Sequence, residues 1–153
     1  MSERKYWLNL YTGATWEDRI KVGVNASSYK EKAWNRVKKI KKGDYLLSYI
    51  TGISRWIGLV EVVSEAYKDP DNKLGGVEYP CSIGVKEIVR LDYETAIPVT
   101  EFIDQVSFVK KMDNPSMWRV HFQQSLRQYP KEDGELVVKH LLNAQKNPIK
   151  RPY

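Results

Sequence analysis

A chain of 153 residues with a net charge of +6 is long enough to bury one hydrophobic core, and its 42% hydrophobic content is typical of a single globular domain. No stretch approaches the roughly 20 apolar residues that cross a bilayer, and the N-terminus lacks the apolar segment of a signal peptide, so we expect a cytoplasmic protein with no membrane partner. One cysteine, Cys81, and two histidines exclude a disulfide framework and a metal cluster. We expect no cofactor, and we predict that Cys81 is a buried, inert thiol.

The N-terminal part of the chain predicts one strand and two helices. Lys5–Tyr11 is rich in aromatic residues of alternating character, which predicts a strand. Thr15 is placed to cap a short helix. Ser28, with Glu31 three residues later, predicts a capping box and a second helix over Tyr29–Lys41. The polar face of that second helix is strongly basic.

The middle of the chain predicts the centre of a sheet. Tyr45–Ile50 and Trp56–Val63 are predicted strands joined by a glycine-containing turn, which is the clearest hairpin signal. Tyr67–Gly76 is rich in Pro, Asp, Asn and Gly and is predicted to be an exposed loop. A long β-branched strand follows over Tyr79–Leu91, and a short apolar segment lies near Ala96–Pro98.

The C-terminal part predicts short elements and a closing helix. Thr100–Gln105 is predicted to form one helical turn, and the segment from Trp118 to Tyr129 to begin as a strand and become a helix. Lys131–Asn143 is a predicted helix with acidic residues first and basic residues later. The chain therefore divides into one domain over residues 1–146 and a basic tail over 147–153. The order of elements predicts the α+β class, a small mixed, mainly antiparallel β-barrel with flanking helices.

The charge and the aromatic content favour a nucleic-acid partner. A pI near 9.3 suits a polyanion, because cationic side chains neutralise phosphates and release counterions. Ten Tyr, five Trp and three Phe offer faces on which unpaired bases can stack. The Gly-rich phosphate loop, Gly-x-Ser-x-Gly and His-Glu-x-x-His are missing. We expect a non-enzymatic domain that binds DNA or RNA; the alternative is a small hydrolase that uses His121 and a nearby carboxylate.

A series of short motifs, taken in order, resembles the EVE domain family and covers nearly the whole chain. The motifs are Tyr6-Trp7-Leu8, Trp16, Val22-Gly23-Val24, Lys42-Gly43-Asp44, Tyr49, Ile57–Val62, Ala66–Asp69, Phe108–Lys111 and Trp118–Phe122. The EVE family is PUA-like and is related to the YTH domains that read methylated adenine in RNA. The resemblance implies a small β-barrel with packed helices that reads a flipped or modified base, with any nuclease or motor on a separate partner chain.

The resemblance also implies an aromatic-lined base pocket and assigns no catalytic or metal-binding residue. The residues that match the family's pocket are Trp16, Val22, Asn25, Ser27, Ser28 and Tyr49; the alternative for Trp16 is a position in the core. The family commonly has tryptophan where this chain has Val22, so Trp56 or Tyr79 is the candidate for the missing ring, and the alternative for both is packing within the barrel. Such a pocket replaces the stacking and pairing that a flipped base loses.

The basic residues beside this pocket are candidates for phosphate contacts. They are Arg36, Lys38, Lys39, Lys41 and Lys42. The alternative for these residues is an ordinary solvated surface. The alternative function within the binding class is a general PUA-like module that recognises RNA shape without a modified base.

Overall fold

A computed structural model describes residues 3–74, 76–123 and 126–153. The described residues form ten β-strands and four α-helices, which we number in chain order. The strands are β1 (Tyr6–Tyr11), β2 (Ala26–Tyr29), β3 (Tyr45–Ile50), β4 (Arg55–Val62), β5 (Tyr67–Lys68), β6 (Lys73–Leu74), β7 (Val77–Glu78), β8 (Cys81–Arg90), β9 (Ile97–Pro98) and β10 (Arg127–Tyr129). The helices are α1 (Gly13–Val22), α2 (Trp34–Val37), α3 (Ser107–Lys110) and α4 (Lys131–Lys146).

Eight of these strands form one curled, half-barrel sheet. Its order is β10-β1-β3-β4-β8-β2, with β5 paired to β8 and β9 paired to β4. The β1–β3 pair is parallel, whereas the other pairs are antiparallel. The β6–β7 hairpin forms a separate two-stranded sheet. The predicted α+β class, a mixed and mainly antiparallel barrel-like sheet with flanking helices, is confirmed.

The sheet carries an apolar core on each face, because side chains alternate along its strands. On β1, Leu8 joins one core and Trp7 the other. We call the first the α4 core, since α4 covers it with Val137 and Leu141. We call the second the β2 core; it includes Tyr29 of β2 and the buried residues of the helical segment that follows. Cys81 lies fully buried in the β2 core, and burial raises the pKa of its thiol, which confirms the buried-thiol prediction.

The predicted helix over Tyr29–Lys41 is wrong in its extent. Ser28 and Tyr29 are strand residues that pair with β8. The predicted capping box does not form, since the Ser28 hydroxyl lies 3.0 Å from that of Ser82. Helical structure is limited to a 3-10 turn over Glu31–Ala33 and the single turn of α2. A helix this short is marginal by itself, so pairing with β8 decides the conformation of its start.

Two other boundaries also differ from the prediction. Helix α1 begins at Gly13 because Thr12 is its N-cap and exchanges capping hydrogen bonds with Thr15, which is therefore the third helical residue. Near the C-terminus the order of elements is reversed: a 3-10 segment over Pro115–Phe122 comes first and the strand β10 follows. The segment predicted from Trp118 to Tyr129 includes residues 124–125, which lie outside the described residues. Gly75 of the predicted loop also lies outside them.

Arg151 and Pro152, close to the C-terminus, contact strand β4. Arg55 of β4 is 4% exposed, and its guanidinium donates to the carbonyl oxygens of Tyr93 (2.9 Å), Arg151 (2.9 Å) and Pro152 (2.7 Å). The Arg151 side chain in turn forms an ion pair with Glu101. In the described ranges, no helix combines the length and apolarity needed to cross a bilayer.

Candidate nucleic-acid interface

A small cavity of about 200 Å³ opens at the edge of the β2 core, where β1, α1, β2 and the segment after β2 meet. It is lined by Asn9, Leu10, Tyr11, Thr15, Ser28, Tyr29, Lys30, Lys32, Ala33, Arg36 and Tyr79. Pockets for drug-sized ligands usually occupy about 300–1,000 Å³. This cavity is smaller and suits one planar ring system.

Three tyrosines supply the aromatic surface of the cavity. Tyr29 of β2 is buried, and its burial raises the pKa of its phenol, which therefore stays protonated. Tyr11 at the end of β1 is half-buried, and its ring packs edge-on against Trp16 with centroids 5.1 Å apart. Tyr79 is half-buried and approaches from the loop before β8. The three rings belong to three separate elements, and the fold brings them together.

The polar groups of the cavity are held by defined hydrogen bonds. The side-chain amide of Asn9, which is 2% exposed, donates to the Tyr11 hydroxyl over 3.1 Å. Arg19 of α1 also donates to that hydroxyl. The hydroxyl of Ser28 is paired with Ser82 of the neighbouring strand. The polar side of the cavity is therefore oriented before any ligand arrives.

The cavity is bordered by positive charge. Lys30, Lys32 and Arg36 all line it, and they lie on the segment that leads from β2 into α2. Lys30 and Lys32 are exposed and Arg36 is half-buried. A cationic border beside an aromatic cavity is suited to a base in the cavity and its phosphates at the border.

Of the residues predicted for the pocket, Ser28 and Tyr79 line the cavity, as does Arg36 of the phosphate-binding set. Ser27 is buried beside the cavity on β2. Val22 is 65% exposed and Asn25 is also exposed; neither lines the cavity. Val22 is the last residue of α1, and Asn25 lies in the short loop after Gly23, whose φ of +96° is a conformation that favours glycine.

The other predicted aromatic residues belong to the α4 core. Tyr49 and Trp56 are each 1% exposed and do not line the cavity. Tyr49 stacks on Phe122 with ring centroids 4.3 Å apart, and Trp56 meets the same ring edge-on. Trp16 is buried in this core and contacts the cavity only through the Tyr11 ring that it supports.

The remaining predicted phosphate-binding residues lie further along the chain. Lys38, Lys39, Lys41 and Lys42 are exposed and lie after the end of α2, outside the cavity lining. Because α2 is one turn long, these residues do not share a helical face with Arg36. We call these four exposed residues the second basic surface.

His121, the candidate base of the hydrolase alternative, faces a cation. Its Nδ1 lies 2.9 Å from Nη1 of Arg127. Burial, and then Arg127, lower the pKa of its imidazole. Among the described residues no group of three or more His, Cys, Asp or Glu side chains could hold a metal ion. This environment supports a neutral, hydrogen-bonded histidine.

A larger and more open cleft of about 740 Å³ lies between α4 and the residues Arg4, Tyr6 and Tyr45. Its aromatic rings already contact each other, with centroids 5.9 Å apart. Arg4 stacks on Tyr45 and donates to the Gly43 carbonyl oxygen over 2.7 Å. Arg4, Tyr6 and Tyr45 are therefore already engaged with one another or with the backbone.

Sequence reasoning missed Asn9, Tyr11, Arg19 and Tyr29 as site residues. One signal was present in β1, where side chains alternate and Asn9 shares a face with Trp7 and Tyr11. A buried amide on an aromatic strand face usually has a specific hydrogen-bond partner. Arg19 carried no such signal, because its contact with Tyr11 depends on how α1 packs.

Three solved structures show which fold the chain shares. The YTH domain of Pho92 in complex with m6A has a TM-score of 0.68 at 13% identity, over 98% of this chain and 91% of that chain. The YTH domain of Zygosaccharomyces rouxii MRB1 in complex with N6-methyladenosine RNA has a TM-score of 0.61 at 15% identity, over 98% and 92%. The protein Atu2648 from Agrobacterium tumefaciens has a TM-score of 0.56 at 18% identity, over 97% and 99%. At these identities the similarity shows the fold alone.

The family is identified by a match along the sequence. None of the curated proteins compared with this chain matches it. The EVE domain model matches residues 5–140, a range that includes β1 to β10 and every residue that lines the cavity. The chain therefore belongs to the EVE domain family.

Proposed function

We propose that this chain is a nucleic-acid-binding module that holds one flipped or modified base in the cavity between β1, α1 and β2. The observation that carries the proposal is a cavity of about 200 Å³ that joins three tyrosines to a cationic border. Stacking on an aromatic ring contributes about 1–3 kcal/mol per base. This is comparable to the few kcal/mol that extruding a base from its stack costs.

The parts of the cavity have distinct roles in this proposal. Tyr11, Tyr29 and Tyr79 contact the faces and edges of the base, and Asn9 and Ser28 add polar contacts. Lys30, Lys32 and Arg36 bind the phosphates on either side of it. Phosphate contacts set affinity and position without reading the sequence, whereas contacts with the base select it. The module itself is non-catalytic, and any nuclease or motor acts from a separate chain.

The structural relatives support this use of the fold. The Pho92 and MRB1 YTH domains, which share the fold over nearly the whole chain, were solved in complex with m6A and with N6-methyladenosine RNA. A curled sheet of this kind can therefore hold a single modified base. The choice of base in this chain depends on its own side chains.

A second candidate function is a general RNA-binding module without base selectivity. The observation that favours it is the second basic surface, Lys38, Lys39, Lys41 and Lys42, which lies outside the cavity. Binding through this surface would be electrostatic and strongly dependent on salt.

Fluorescence anisotropy distinguishes the two functions. The probes are matched single- and double-stranded DNA and RNA oligonucleotides, either unmodified or with methylated or hydroxymethylated bases, at two salt concentrations. The proposal predicts a preference for one base that persists at the higher salt concentration. Salt-sensitive binding that ignores the base would support the general module, and a lack of binding to every probe would refute both.

A further inference from the structure

The larger cleft, of about 740 Å³, runs along α4 and faces Arg4 and Tyr45. The α4 residues that line it extend from Glu135 to Lys146. At a rise of about 1.5 Å per residue, this stretch of helix is about 16 Å long. An extended peptide of about five residues, at about 3.3 Å per residue, has the same length. The cleft is therefore large enough for a short peptide.

The cleft contains an apolar strip that a ligand can reach. Leu142 is 39% exposed although it is a large apolar residue. Val138 is half-buried and lies four residues earlier, so both side chains share one face of α4. The half-buried ring of Tyr45 lines the opposite wall. An exposed apolar strip rimmed by polar residues is typical of a protein–protein interaction site.

Positive charge flanks the strip on both sides. Lys139 and Lys146 are exposed on α4, and the exposed Arg4 lines the opposite wall. Among the described residues that line the cleft, Glu135 is the one carboxylate. It lies 3.9 Å from Nζ of Lys131, which offsets its charge. The cleft thus has a net positive charge that suits an acidic ligand.

Arg4 is held in position before a ligand arrives. Its Nε donates to the Gly43 carbonyl oxygen over 2.7 Å, and its Nη2 lies 3.4 Å from Oε2 of Glu61. The guanidinium carbon lies 3.9 Å from the centroid of the Tyr45 ring. A guanidinium has further N–H donors beyond these two, and its planar shape suits a carboxylate.

The cleft fits a peptide better than it fits a nucleic acid. Bases bind by stacking on open aromatic faces. Tyr6 is 7% exposed, and the Arg4 guanidinium already covers one face of Tyr45. Sugars and phosphates would also leave Val138 and Leu142 without an apolar contact. A bulky apolar side chain with neighbouring carboxylates matches both the strip and its cationic sides.

The cleft and the base cavity lie on opposite faces of the sheet. Helix α4 covers the α4 core, whereas the cavity opens at the edge of the β2 core. Along β1, Tyr6 lines the cleft while the next residue, Trp7, belongs to the β2 core. The described residues that line the two sites do not overlap. A ligand in the cleft therefore leaves the cavity open.

We propose that the cleft beside α4 docks an acidic, apolar segment of a partner protein, about five residues long and extended. A bulky side chain of this segment packs against Val138 and Leu142. Its carboxylates bind Arg4, Lys139 and Lys146. Because no residue of the cavity takes part, this docking does not depend on the proposed function.

Selection from a random heptapeptide library displayed on phage, with the full chain immobilised, tests the proposal. Enriched sequences should combine Asp or Glu with Leu, Ile, Phe, Met or Trp. The leading peptide is then synthesised with blocked termini and a fluorophore, and its binding is measured by anisotropy. Versions with Asn and Gln in place of the acids, or with Ala in place of the bulky residues, should each bind at least about tenfold more weakly.

Two variants locate the peptide in the cleft. Leu142→Glu should weaken binding at least about tenfold, because it removes an apolar contact and places a carboxylate against an acidic ligand. Val22→Glu is the matched control: Val22 is 65% exposed at the end of α1 and lines neither the cleft nor the cavity. Melting temperatures check the folding of both, and if Leu142→Glu fails to fold, Lys139→Glu replaces it.

The docking site is overturned if no acidic, apolar sequence is enriched, or if Leu142→Glu and Val22→Glu bind the selected peptide equally. It is also overturned if Leu142→Glu weakens oligonucleotide binding well beyond the effect of Val22→Glu, since the cleft then holds nucleic acid. If the peptide binds as expected but no oligonucleotide binds, the proposed function fails and the docking site stands.

Discussion

Tyr79 lies in the loop before β8 and forms one wall of the cavity. Its backbone N–H donates to the carbonyl oxygen of Asn72 over 2.9 Å, and its own carbonyl oxygen accepts from the Asn72 side chain over 2.9 Å. These two bonds hold the loop against itself. The ring is thereby positioned over the cavity without being part of the sheet.

Removing this ring should weaken base binding without unfolding the domain. We expect Tyr79→Ala to reduce affinity for the preferred base by about 1–3 kcal/mol, the contribution of one stacked ring. Tyr67→Ala is the matched control, because Tyr67 is 43% exposed and does not line the cavity. Titration of both variants with one oligonucleotide checks this. Equal losses in the two variants would exclude Tyr79 from the site.

The two histidines should make stability depend on pH in a defined direction. The His140 ring stacks on Phe102 with centroids 4.0 Å apart; burial, and then Lys139, lower the pKa of its imidazole, against a smaller opposing effect of Glu101. The pKa of His121 is lowered as well. The unfolded chain therefore binds protons more readily, so this stabilisation is complete above the unfolded pKa of about 6.5 and is lost as pH falls.

Melting temperatures would test the linkage. Between about pH 7.5 and about pH 5 the wild type should lose more thermal stability than a variant carrying both His121→Gln and His140→Gln. The carboxylates titrate in both proteins, so the difference isolates the imidazoles. An identical pH dependence would contradict the lowered pKa values.

At the scale of elements, the segment after β2 presents two basic surfaces that the structure separates. Lys30 and Lys32 border the cavity, whereas Lys41 and Lys42 lie beyond α2. A base held in the cavity brings its own phosphates to the first pair. The second pair is further along the chain and is not part of the cavity lining.

Two charge-matched double variants compare these surfaces. Lys30→Ala with Lys32→Ala should weaken binding to every sequence and reduce the salt slope by about 1 for each phosphate that is no longer neutralised. Lys41→Ala with Lys42→Ala removes the same net charge and should have a smaller effect. Anisotropy across a salt series measures both. A larger effect from the second pair would mean that the phosphates bind at Lys41 and Lys42 rather than at the border of the cavity.

Helix α4 contains a glycine that its packing requires. Gly134 lies in the first turn and is buried, and a Cβ there would come 2.2 Å from Cγ of Tyr6. Alanine is intrinsically better in a helix by about 1 kcal/mol. The contact with β1 outweighs this preference, because overfilling a packed core costs about 1–3 kcal/mol or more.

We therefore expect Gly134→Ala to lower the free energy of unfolding by about 1–3 kcal/mol. Glu135→Ala is the control in the same helix, since its exposed carboxylate forms a surface ion pair with Lys131 at 3.9 Å. Urea denaturation of both variants measures the change. A more stable Gly134→Ala protein would mean that α4 can shift away from β1.

At the scale of the whole molecule, the C-terminal residues 151–153 contact a buried arginine of β4. Arg55 reaches from β4 to the carbonyl oxygens of Arg151 and Pro152, so a buried cation depends on the last residues of the chain. The Tyr153 ring lies over the same guanidinium, 5.2 Å from its carbon. Arg55 in the middle of the chain therefore depends on residues 151–153 for its hydrogen-bond acceptors and its ring contact.

Deleting residues 151–153 should lower the free energy of unfolding by about 1–3 kcal/mol, because Arg55 is then deprived of two buried acceptors. Arg151→Ala in the full chain keeps its backbone carbonyl and removes the ion pair with Glu101 and an exposed hydrogen bond to the Ile149 carbonyl oxygen, so its effect should stay below about 1 kcal/mol. Urea denaturation compares the two proteins. Equal stability of the truncated and full chains would show that water replaces the missing acceptors.

Strands were predicted correctly from the sequence where an apolar pattern is continuous over six or more residues. Tyr45–Ile50 and the strand after it were predicted nearly to the residue, because continuous apolar runs with a turn between them allow one arrangement. The helix predicted over Tyr29–Lys41 was wrong in its extent because the helical pattern is short and Tyr29 pairs with β8 in a buried position. Of the residues predicted for a base pocket, Ser28 and Tyr79 line the cavity, whereas Tyr49 and Trp56 are covered by Phe122, more than 60 residues away in sequence.

The α+β class, the basic charge and the EVE family follow from the amino-acid sequence alone, because composition, alternation and ordered motifs do not depend on how the elements pack. Packing in three dimensions was needed to establish which aromatic rings face the cavity and that Arg19 lies behind Tyr11. The physical reason is the curvature of the sheet. A curled sheet sends alternate side chains of one strand into two different cores, and residues distant in sequence determine which of them remain open to a ligand.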